Sequence, residues 1–216
     1  MPVIPFYGTE RPDLFEIERR AMDRPGRLIR ALDSGLPRHG RIIDVGAGDG
    51  FTAARLTTPQ RSVIAVEPAA AMIRRDRPLP WVMAEAEALP FASGTADGAY
   101  ATWAYFFTRS WDPRPGLAEL HRVVRPGGPL LIADNMGDDE FCALAGTDIS
   151  ADRSFWEREG FGCEAIDTVF EFDDDVEAAA LLGWYFGEAG RAGARRRLGY
   201  RIGLFAGRSR GERRDR

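Results

Sequence analysis

The sequence of 216 residues lacks any apolar run of the roughly 18 residues that a membrane-spanning helix needs. Its first residues, MPVIPFYGTERPD, lack the basic start and long apolar stretch of a signal peptide. Only two cysteines occur, Cys142 and Cys163, which are too few for a disulfide framework, and no C-x-x-C pair offers zinc ligands. These absences predict a protein of the reducing cytoplasm with no membrane contact and no metal.

Lysine is also absent, and the 29 cations, all arginine, are unevenly distributed. Residues 191–216 contain ten arginines and two acids, a local net charge of +8, whereas residues 1–190 contain 19 arginines and 31 acids, a net charge of −12. The acidic body argues against a broad nucleic-acid-binding face. Residues 208–216 contain no apolar side chain, so we expect a disordered basic tail after a single domain over residues 1–207.

Short apolar runs alternate with helical patterns in the first two thirds of the chain. The runs that predict strands lie at 41–45, 62–66, 80–87, 98–106 and 129–134, and the helical patterns lie at 50–57, 68–75 and 115–124. Strands separated by helices in this way predict parallel βαβ units. Because the strands are continuously apolar, we expect a sheet that is covered on both faces.

The two ends of the chain add further elements. Residues 1–38 predict two short helices, and Asp23 before Pro25 is expected to cap the second one. At the other end, the patterns predict a helix at 154–161, a strand at 163–172, a helix at 174–190 and a strand at 197–207. The predicted fold class is therefore α/β, a doubly wound and mostly parallel seven-stranded sheet with an antiparallel C-terminal edge.

The segment IIDVGAGDG at 42–50 carries the clearest functional pattern. Asp44 ends an apolar strand, three glycines alternate after it, and a helix begins at Phe51. Glycines permit positive φ and let a ligand approach the backbone, while the helix start offers unpaired N–H groups. A dinucleotide site has the spacing G-x-G-x-x-G, whereas here the third glycine comes one residue early, which counts against NAD or FAD. An acid before the glycines also suits a cationic amine better than a pyrophosphate.

This loop resembles motif I, D-x-G-x-G-x-G, of class I methyltransferases that use S-adenosyl-L-methionine (SAM). Four later segments resemble further motifs of the family in the same order, namely VIAVEPAAAMI at 63–73, AEAEALPF at 84–91, SGTADGAYAT at 93–102 and LAELHRVVRPGGPLLIAD at 117–134. The resemblance covers about residues 40–135 and is that of the methyltransferase type 11-like branch. It implies a transferase with a Rossmann-like fold and SAM as the cofactor.

The resemblance also implies roles for particular residues. Glu67 takes the place of the acid that binds both ribose hydroxyls, and Glu85 takes the place of the aspartate at the adenine amino group. Each has an alternative as a solvated loop acid, and the glycines have an alternative as a tight turn. The implied cofactor-binding residues are Asp44, Gly46, Ala47, Gly48, Gly50, Glu67, Pro68, Met72, Glu85, Ala86, Ala101 and Thr102.

Methyl transfer from a sulfonium needs alignment of donor and acceptor and exclusion of water, without a metal or a covalent intermediate. The sequence accordingly assigns no catalytic residue, and Asp134 is the candidate general base. An acceptor site is expected beyond the carboxyl ends of the strands. Its candidate residues are Tyr7, Trp103, Tyr105, Phe106, Asn135, Met136 and Tyr185, for which core packing is the alternative. An aromatic pocket with one acid suits a small, partly apolar metabolite.

Other functions stay open beside a small-molecule methyltransferase. The arginine-rich tail would suit an RNA methyltransferase, although the body is acidic and no added RNA-binding domain is present. A non-catalytic SAM-binding module would retain the same motifs. A nucleotide-dependent oxidoreductase is disfavoured by the glycine spacing. The motifs leave open which acceptor and which atom are methylated, and also the oligomeric state.

Overall fold

The structure is a computed structural model that describes residues 10–108 and 112–211. Its strands are β1 Gly40–Val45, β2 Arg61–Val66, β3 Trp81–Val82, β4 Gly98–Thr102, β5 Pro129–Asn135, β6 Gly162–Glu171 and β7 Arg197–Arg208. Its α-helices are α1 Pro12–Ala21, α2 Arg27–Gly35, α3 Phe51–Leu56, α4 Arg114–Val123, α5 Arg153–Arg158 and α6 Asp175–Ala192. Short 3₁₀ turns lie at Ala70–Met72 and Cys142–Ala145.

The seven strands form one sheet in the order β3-β2-β1-β4-β5-β7-β6. The five strands from β3 to β5 in that order pair in parallel, and β7 pairs antiparallel with both β5 and β6. This confirms the predicted doubly wound sheet with an antiparallel C-terminal edge. The strand order reverses between β1 and β4, which is the position where open α/β sheets bind ligands.

Helices cover both faces of the sheet. Side chains alternate between the two faces along a strand, so Ile42 and Tyr100 pack with α1, α2, α3 and α6, whereas their neighbours Ile43 and Ala99 pack with α4 and α5. The sheet thus separates two apolar cores. All four of these side chains are fully buried, as the continuous apolar strands predicted.

Three predicted elements are shorter than expected. The strand pattern at 80–87 gives only the two residues of β3, because the chain then leaves the sheet and residues 84–87 line a cavity. The pattern at 98–106 ends at Thr102, because Trp103 has a left-handed φ of 43°. The prediction of a helix at 68–75 is wrong, since only a 3₁₀ turn forms there, and Met72 is the single buried residue of this segment.

The cap of the second helix differs in detail from the prediction. Helix α2 begins at Arg27 after Gly26, which is in the left-handed conformation, so Pro25 lies outside the helix. The Asp23 carboxylate nevertheless accepts hydrogen bonds from the backbone N–H groups of Arg27 and Leu28, at 3.0 and 2.8 Å. Asp23 therefore caps the helix from three residues upstream of the N-cap position, Gly26.

The C-terminal boundary also requires a correction. Strand β7 continues to Arg208, and Ser209 is buried, with its hydroxyl donating to the carbonyls of His121 and Val124, each at 2.9 Å. The backbone of Ser209 also pairs with Gly127 and Gly128. The expectation of a tail from residue 208 is therefore wrong for residues 208–211, and residues 212–216 lie outside the described part of the chain.

Candidate functional site

The glycine loop joins β1 to α3, and all three of its glycines have positive φ. A side chain at Gly46 would come within 2.3 Å of Ala104 Cβ, and one at Gly50 within 2.8 Å of neighbouring side chains. Among the described residues, a Cβ at Gly48 would meet only the side chains of Phe15 and Met72, at ordinary distances of 3.7 and 4.0 Å. Gly46 and Gly50 are therefore required by packing, whereas Gly48 opens onto the adjoining cavity.

Glu67, which directly follows β2, ties this loop to the sheet. Its carboxylate accepts hydrogen bonds from the backbone N–H groups of Gly48 at 2.8 Å and Ala69 at 2.9 Å. Burial raises the pKa of Glu67, and the bonds from Ala69 and Gly48 partly oppose that shift. The acid is only 7% exposed, so it is an anchored part of the site rather than a solvated loop residue.

A cavity of about 840 Å³ lies at the carboxyl ends of the parallel strands. Of the predicted cofactor-binding residues, those that line it are Gly46, Ala47, Gly48, Glu67, Pro68, Glu85, Ala86 and Thr102. Of the predicted acceptor-binding residues, those that line it are Trp103, Tyr105, Asn135 and Tyr185. Tyr7 lies outside the described residues. The structure therefore brings most of both predicted sets to one cavity.

Asp44 does not line the cavity and lies beneath the loop, 1% exposed. Its Oδ2 accepts a hydrogen bond from the Tyr100 hydroxyl at 2.8 Å, and its buried Oδ1 has no hydrogen-bond partner among the described residues. Burial raises the pKa of Asp44 to about 7; the Tyr100 hydrogen bond opposes the shift and the charge of Glu67 adds to it. The expectation that Asp44 itself faces the ligand is therefore not met.

The candidate base, Asp134, is likewise buried and does not line the cavity. Burial raises its pKa to about 7, although the backbone N–H of Asn135 donates to its Oδ1 at 2.7 Å. A group without access to the cavity cannot take a proton from an acceptor there. The other predicted residues outside the cavity are Gly50, Met72, Ala101, Phe106 and Met136. Gly50 is required by packing, and Met72, Ala101 and Phe106 are buried.

Hydrogen bonds link Trp103, which directly follows β4, to Asn135 at the end of β5 and to Tyr200 of β7. The Trp103 indole N–H donates to the Tyr200 hydroxyl at 2.9 Å and to Asn135 Oδ1 at 3.2 Å. The Tyr200 hydroxyl in turn donates to Asn135 Oδ1 at 2.6 Å. Trp103 adopts its left-handed φ in this arrangement, and strained backbone of that kind clusters at functional sites.

Sequence reasoning missed the contribution of α1 to the site. Phe15, Glu18, Arg19 and Met22 all line the cavity. They lie at positions i, i+3, i+4 and i+7, which form one face of a helix. This spacing was present in the sequence, but a mixed apolar and charged stripe does not distinguish a cavity wall from a solvated face.

Arg19 belongs to a cluster of charges beside the glycine loop. Asp49 is 7% exposed, and its Oδ2 lies 2.9 Å from Arg77 and 3.5 Å from Arg19 Nε. Arg55 lies over the ring of Phe51, and its pKa is lowered by burial and then by the charges of Arg19 and Arg77. Arg19 and Arg77 thus share the Asp49 carboxylate and Arg55 lies near them, which places positive charge beside the glycine loop.

Neither a metal centre nor a membrane span is found in the described parts of the chain. No group of three His, Cys, Asp or Glu side chains could hold a metal ion within residues 10–108 and 112–211. No helix in those ranges is long and apolar enough to cross a bilayer.

The sequence is similar to that of known methyltransferases. Residues 43–132 match the family described as a methyltransferase domain. The demethylmenaquinone methyltransferase of Beutenbergia cavernae is 36% identical over 119 residues, 52% of this chain and 48% of that protein. The biotin biosynthesis bifunctional protein BioHC of Cellvibrio japonicus is 37% identical over 114 residues, 50% of this chain and 22% of that protein. The chain spans about half or less of the length of these curated relatives.

Solved structures share the fold. A SAM-dependent methyltransferase of Thermotoga maritima, described as a possible histamine N-methyltransferase, superposes with a TM-score of 0.61. The match covers 94% of this chain and 97% of that one at 17% sequence identity. At that identity the likeness concerns the fold alone.

Proposed function

We propose that this chain, which carries a class I, type 11-like domain of the SAM-dependent methyltransferases, transfers a methyl group from SAM to a small-molecule acceptor. The observation that carries the proposal is the single cavity that joins the glycine loop and Glu67 to the aromatic residues after β4 and β5. A methyl donor and its acceptor must lie side by side in one water-poor site. A volume of about 840 Å³ is near the upper end of the range for ligand pockets, which leaves room for both molecules.

The residues present fit SAM. The open side of Gly48 leaves space for the methionine part of the ligand, and Glu67 is positioned to accept hydrogen bonds from the ribose hydroxyls. Glu85 is assigned to the adenine amino group, as the resemblance implies. Arg19 is the one basic residue among the described residues lining the cavity, so it is assigned to the carboxylate. When bound, SAM supplies an electrophilic methyl group on a sulfonium.

The charge of the cavity supports a small acceptor rather than RNA. Its described lining includes several acids, among them Glu67 and Glu85, which would repel a phosphate backbone. Arg208 is paired with Pro129, the first residue of β5, and therefore lies at the opposite end of the sheet from the cavity. The basic C-terminal segment is thus poorly placed to hold a polyanion at this site.

Titration calorimetry with SAM and with its demethylated product, S-adenosylhomocysteine, tests cofactor use. We expect micromolar affinity for both, about −8 kcal/mol. No heat and no thermal shift at ligand concentrations near about 1 mM would contradict the proposal.

Two assays address the alternative functions. Transfer of an isotope-labelled methyl group to a member of a metabolite panel, detected by mass, separates an enzyme from a non-catalytic SAM-binding module. Methyl transfer to RNA, compared at two salt concentrations between the full chain and a chain ending at Gly211, tests the arginine-rich anchor. RNA methylation that is lost on this truncation at low salt would favour the RNA alternative.

A further inference from the structure

A row of aromatic side chains connects the end of β4 to α6. The ring centroids of Trp103 and Tyr200 are 6.2 Å apart, those of Tyr200 and Phe141 are 5.2 Å apart, and those of Phe141 and Tyr185 are 6.1 Å apart. Phe186 extends the row, with its centroid 5.2 Å from that of Phe141. All five residues line the cavity. We call these five residues the aromatic wall.

One carboxylate is fixed at the end of the aromatic wall. The Tyr185 hydroxyl donates a hydrogen bond to Oε1 of Glu18, which lies on α1 and lines the cavity. Glu18 is also one helical turn from Phe15, the residue nearest to the open side of Gly48. Glu18 therefore contacts the aromatic wall and shares a face of α1 with a residue that lies beside the glycine loop.

The charges around the cavity reinforce that of Glu18. Its described lining contains six carboxylates, Glu18, Asp23, Asp49, Glu67, Glu85 and Glu87, against the single guanidinium of Arg19. Asp49 is paired with Arg19 and with Arg77, so the negative charge of this lining comes from the other five carboxylates. An anionic acceptor would be repelled, whereas a cationic one would be attracted.

We propose that the methyl acceptor is an amine on an apolar or aromatic skeleton, and that Glu18 binds its ammonium group. This inference rests on the proposed function. Aromatic faces attract ammonium groups, and a carboxylate adds a charge-assisted hydrogen bond. The aromatic wall provides the faces and an apolar surface for the skeleton, while Tyr185 orients the Glu18 carboxylate.

The same arrangement provides for the proton. An ammonium nitrogen has no lone pair until it loses a proton, and Glu18 accepts that proton and later releases it to solvent. The nitrogen lone pair then forms the bond to the methyl carbon while the carbon–sulfur bond breaks, its electron pair remaining on sulfur. The positive charge passes from the sulfonium to the methylated nitrogen.

Matched probes on the wild-type chain test this inference without any substitution. The probes are 2-phenylethylamine, 2-phenylethanol and 3-phenylpropanoate, which share a skeleton and differ in charge, with a longer alkylamine and alcohol as a second pair. Each is titrated calorimetrically into protein saturated with S-adenosylhomocysteine. We expect the amines to bind about tenfold or more tightly than the alcohols, and the carboxylate to bind most weakly. Equal affinity of amine and alcohol, or no binding of either amine, overturns the inference.

Three variants test whether Glu18 causes the preference for amines. Glu18→Gln keeps an acceptor for Tyr185 but removes the charge, so amine affinity should fall to that of the alcohol while alcohol and S-adenosylhomocysteine affinities stay unchanged. Tyr185→Phe keeps the ring and should cause a smaller loss. Asp13→Asn removes the same charge from an exposed position of α1 outside the cavity and should change neither affinity.

The outcomes separate the two proposals. If Glu18→Gln is folded by circular dichroism and keeps its preference for amines, Glu18 is not the binding group. If the wild type fails to bind S-adenosylhomocysteine at all, the proposed methyl transfer is contradicted instead. If the wild type binds S-adenosylhomocysteine but shows no preference for amines over alcohols, the amine inference alone is contradicted.

Discussion

Replacement of Glu67 by alanine tests how the cavity holds its ligand. In the structure the carboxylate accepts two backbone hydrogen bonds, from Gly48 and Ala69. Hydrogen bonds to a charged group contribute about 1.5–3 kcal/mol each, but both N–H groups border the cavity and can bind water after the substitution. We therefore expect Glu67→Ala to lower the free energy of unfolding by about 1–2 kcal/mol.

The loss in binding should be larger than the loss in stability. The ribose hydroxyls lose a charged acceptor, which corresponds to about 1.5–3 kcal/mol, or roughly 10- to 150-fold in affinity for S-adenosylhomocysteine. Because the substitution also frees the Gly48 loop, we expect a loss of affinity near the upper end of that range. Titration calorimetry gives the affinity, and urea denaturation gives the stability. Glu164→Ala, an exposed glutamate on β6 outside the cavity, is the control and should change neither quantity.

A double-mutant cycle separates the ribose contact from the loop contact. An analogue of S-adenosylhomocysteine without the ribose 2′-hydroxyl should bind the wild type more weakly, and Glu67→Ala should reduce that difference. If both proteins show the same ratio of affinities for the two ligands, Glu67 does not bind the hydroxyl and only anchors the loop. That result would refute the ribose assignment while leaving the fold description intact.

Three further predictions use other features of the structure. Gly48→Val should abolish S-adenosylhomocysteine binding in calorimetry but keep the circular dichroism spectrum. The left-handed backbone at this position should lower the free energy of unfolding of the variant by about 1–2 kcal/mol. Retained binding would contradict a ligand at this loop. Truncation after Gly207 should lower the melting temperature because it removes Ser209, whereas truncation after Gly211 should not; equal melting temperatures would contradict this role of Ser209. Because the pKa of Asp134 is raised in the folded protein, ionisation of Asp134 destabilises the fold. The free energy of unfolding of the wild type, relative to that of Asp134→Asn, should therefore fall from about pH 4 to about pH 7 and then level off. A difference between the two unfolding free energies that stays constant with pH would contradict this shift.

The direction of that pH effect follows from proton binding. Between about pH 4 and pH 7 the folded protein keeps the proton on Asp134 while the unfolded chain has lost it. Stability then decreases with pH, at a slope approaching about 1.4 kcal/mol per pH unit. The pKa of Asp44 is raised to a similar value, but Asp44 is present in both the wild type and Asp134→Asn. The difference between their unfolding free energies therefore reports on Asp134.

The positions of the glycines and of the charges divide the cavity into two regions. Near Gly48, Arg19 provides the positive charge that suits a carboxylate. Toward α6, Glu18 provides the negative charge that suits an ammonium group. Both residues come from one face of α1, one position apart, so a single short helix supplies opposite charges to the two proposed ligands.

Local patterns were sufficient to predict the sheet and the loop. The alternation of apolar runs and helical stretches predicted the strand positions, and the spacing after Asp44 predicted a glycine loop followed by a helix at Phe51. These features depend on backbone preference and on neighbours along the chain, so they can be recognised without a fold. The same loop and its order of following motifs predicted a methyltransferase domain, and residues 43–132 match the family of that description.

The tertiary structure decided which side chains reach the cavity. Asp44 and Asp134 end apolar strands and were candidates for direct roles, yet packing of the sheet buries both. Conversely, Glu18 and Tyr185 are 167 residues apart and meet only because α1 and α6 border the same cavity. A sequence pattern records the spacing of residues along one element, but the distance between two elements depends on how the whole core packs. For that reason the sequence determined the fold and the glycine loop, and only the tertiary structure placed a carboxylate beside the aromatic wall.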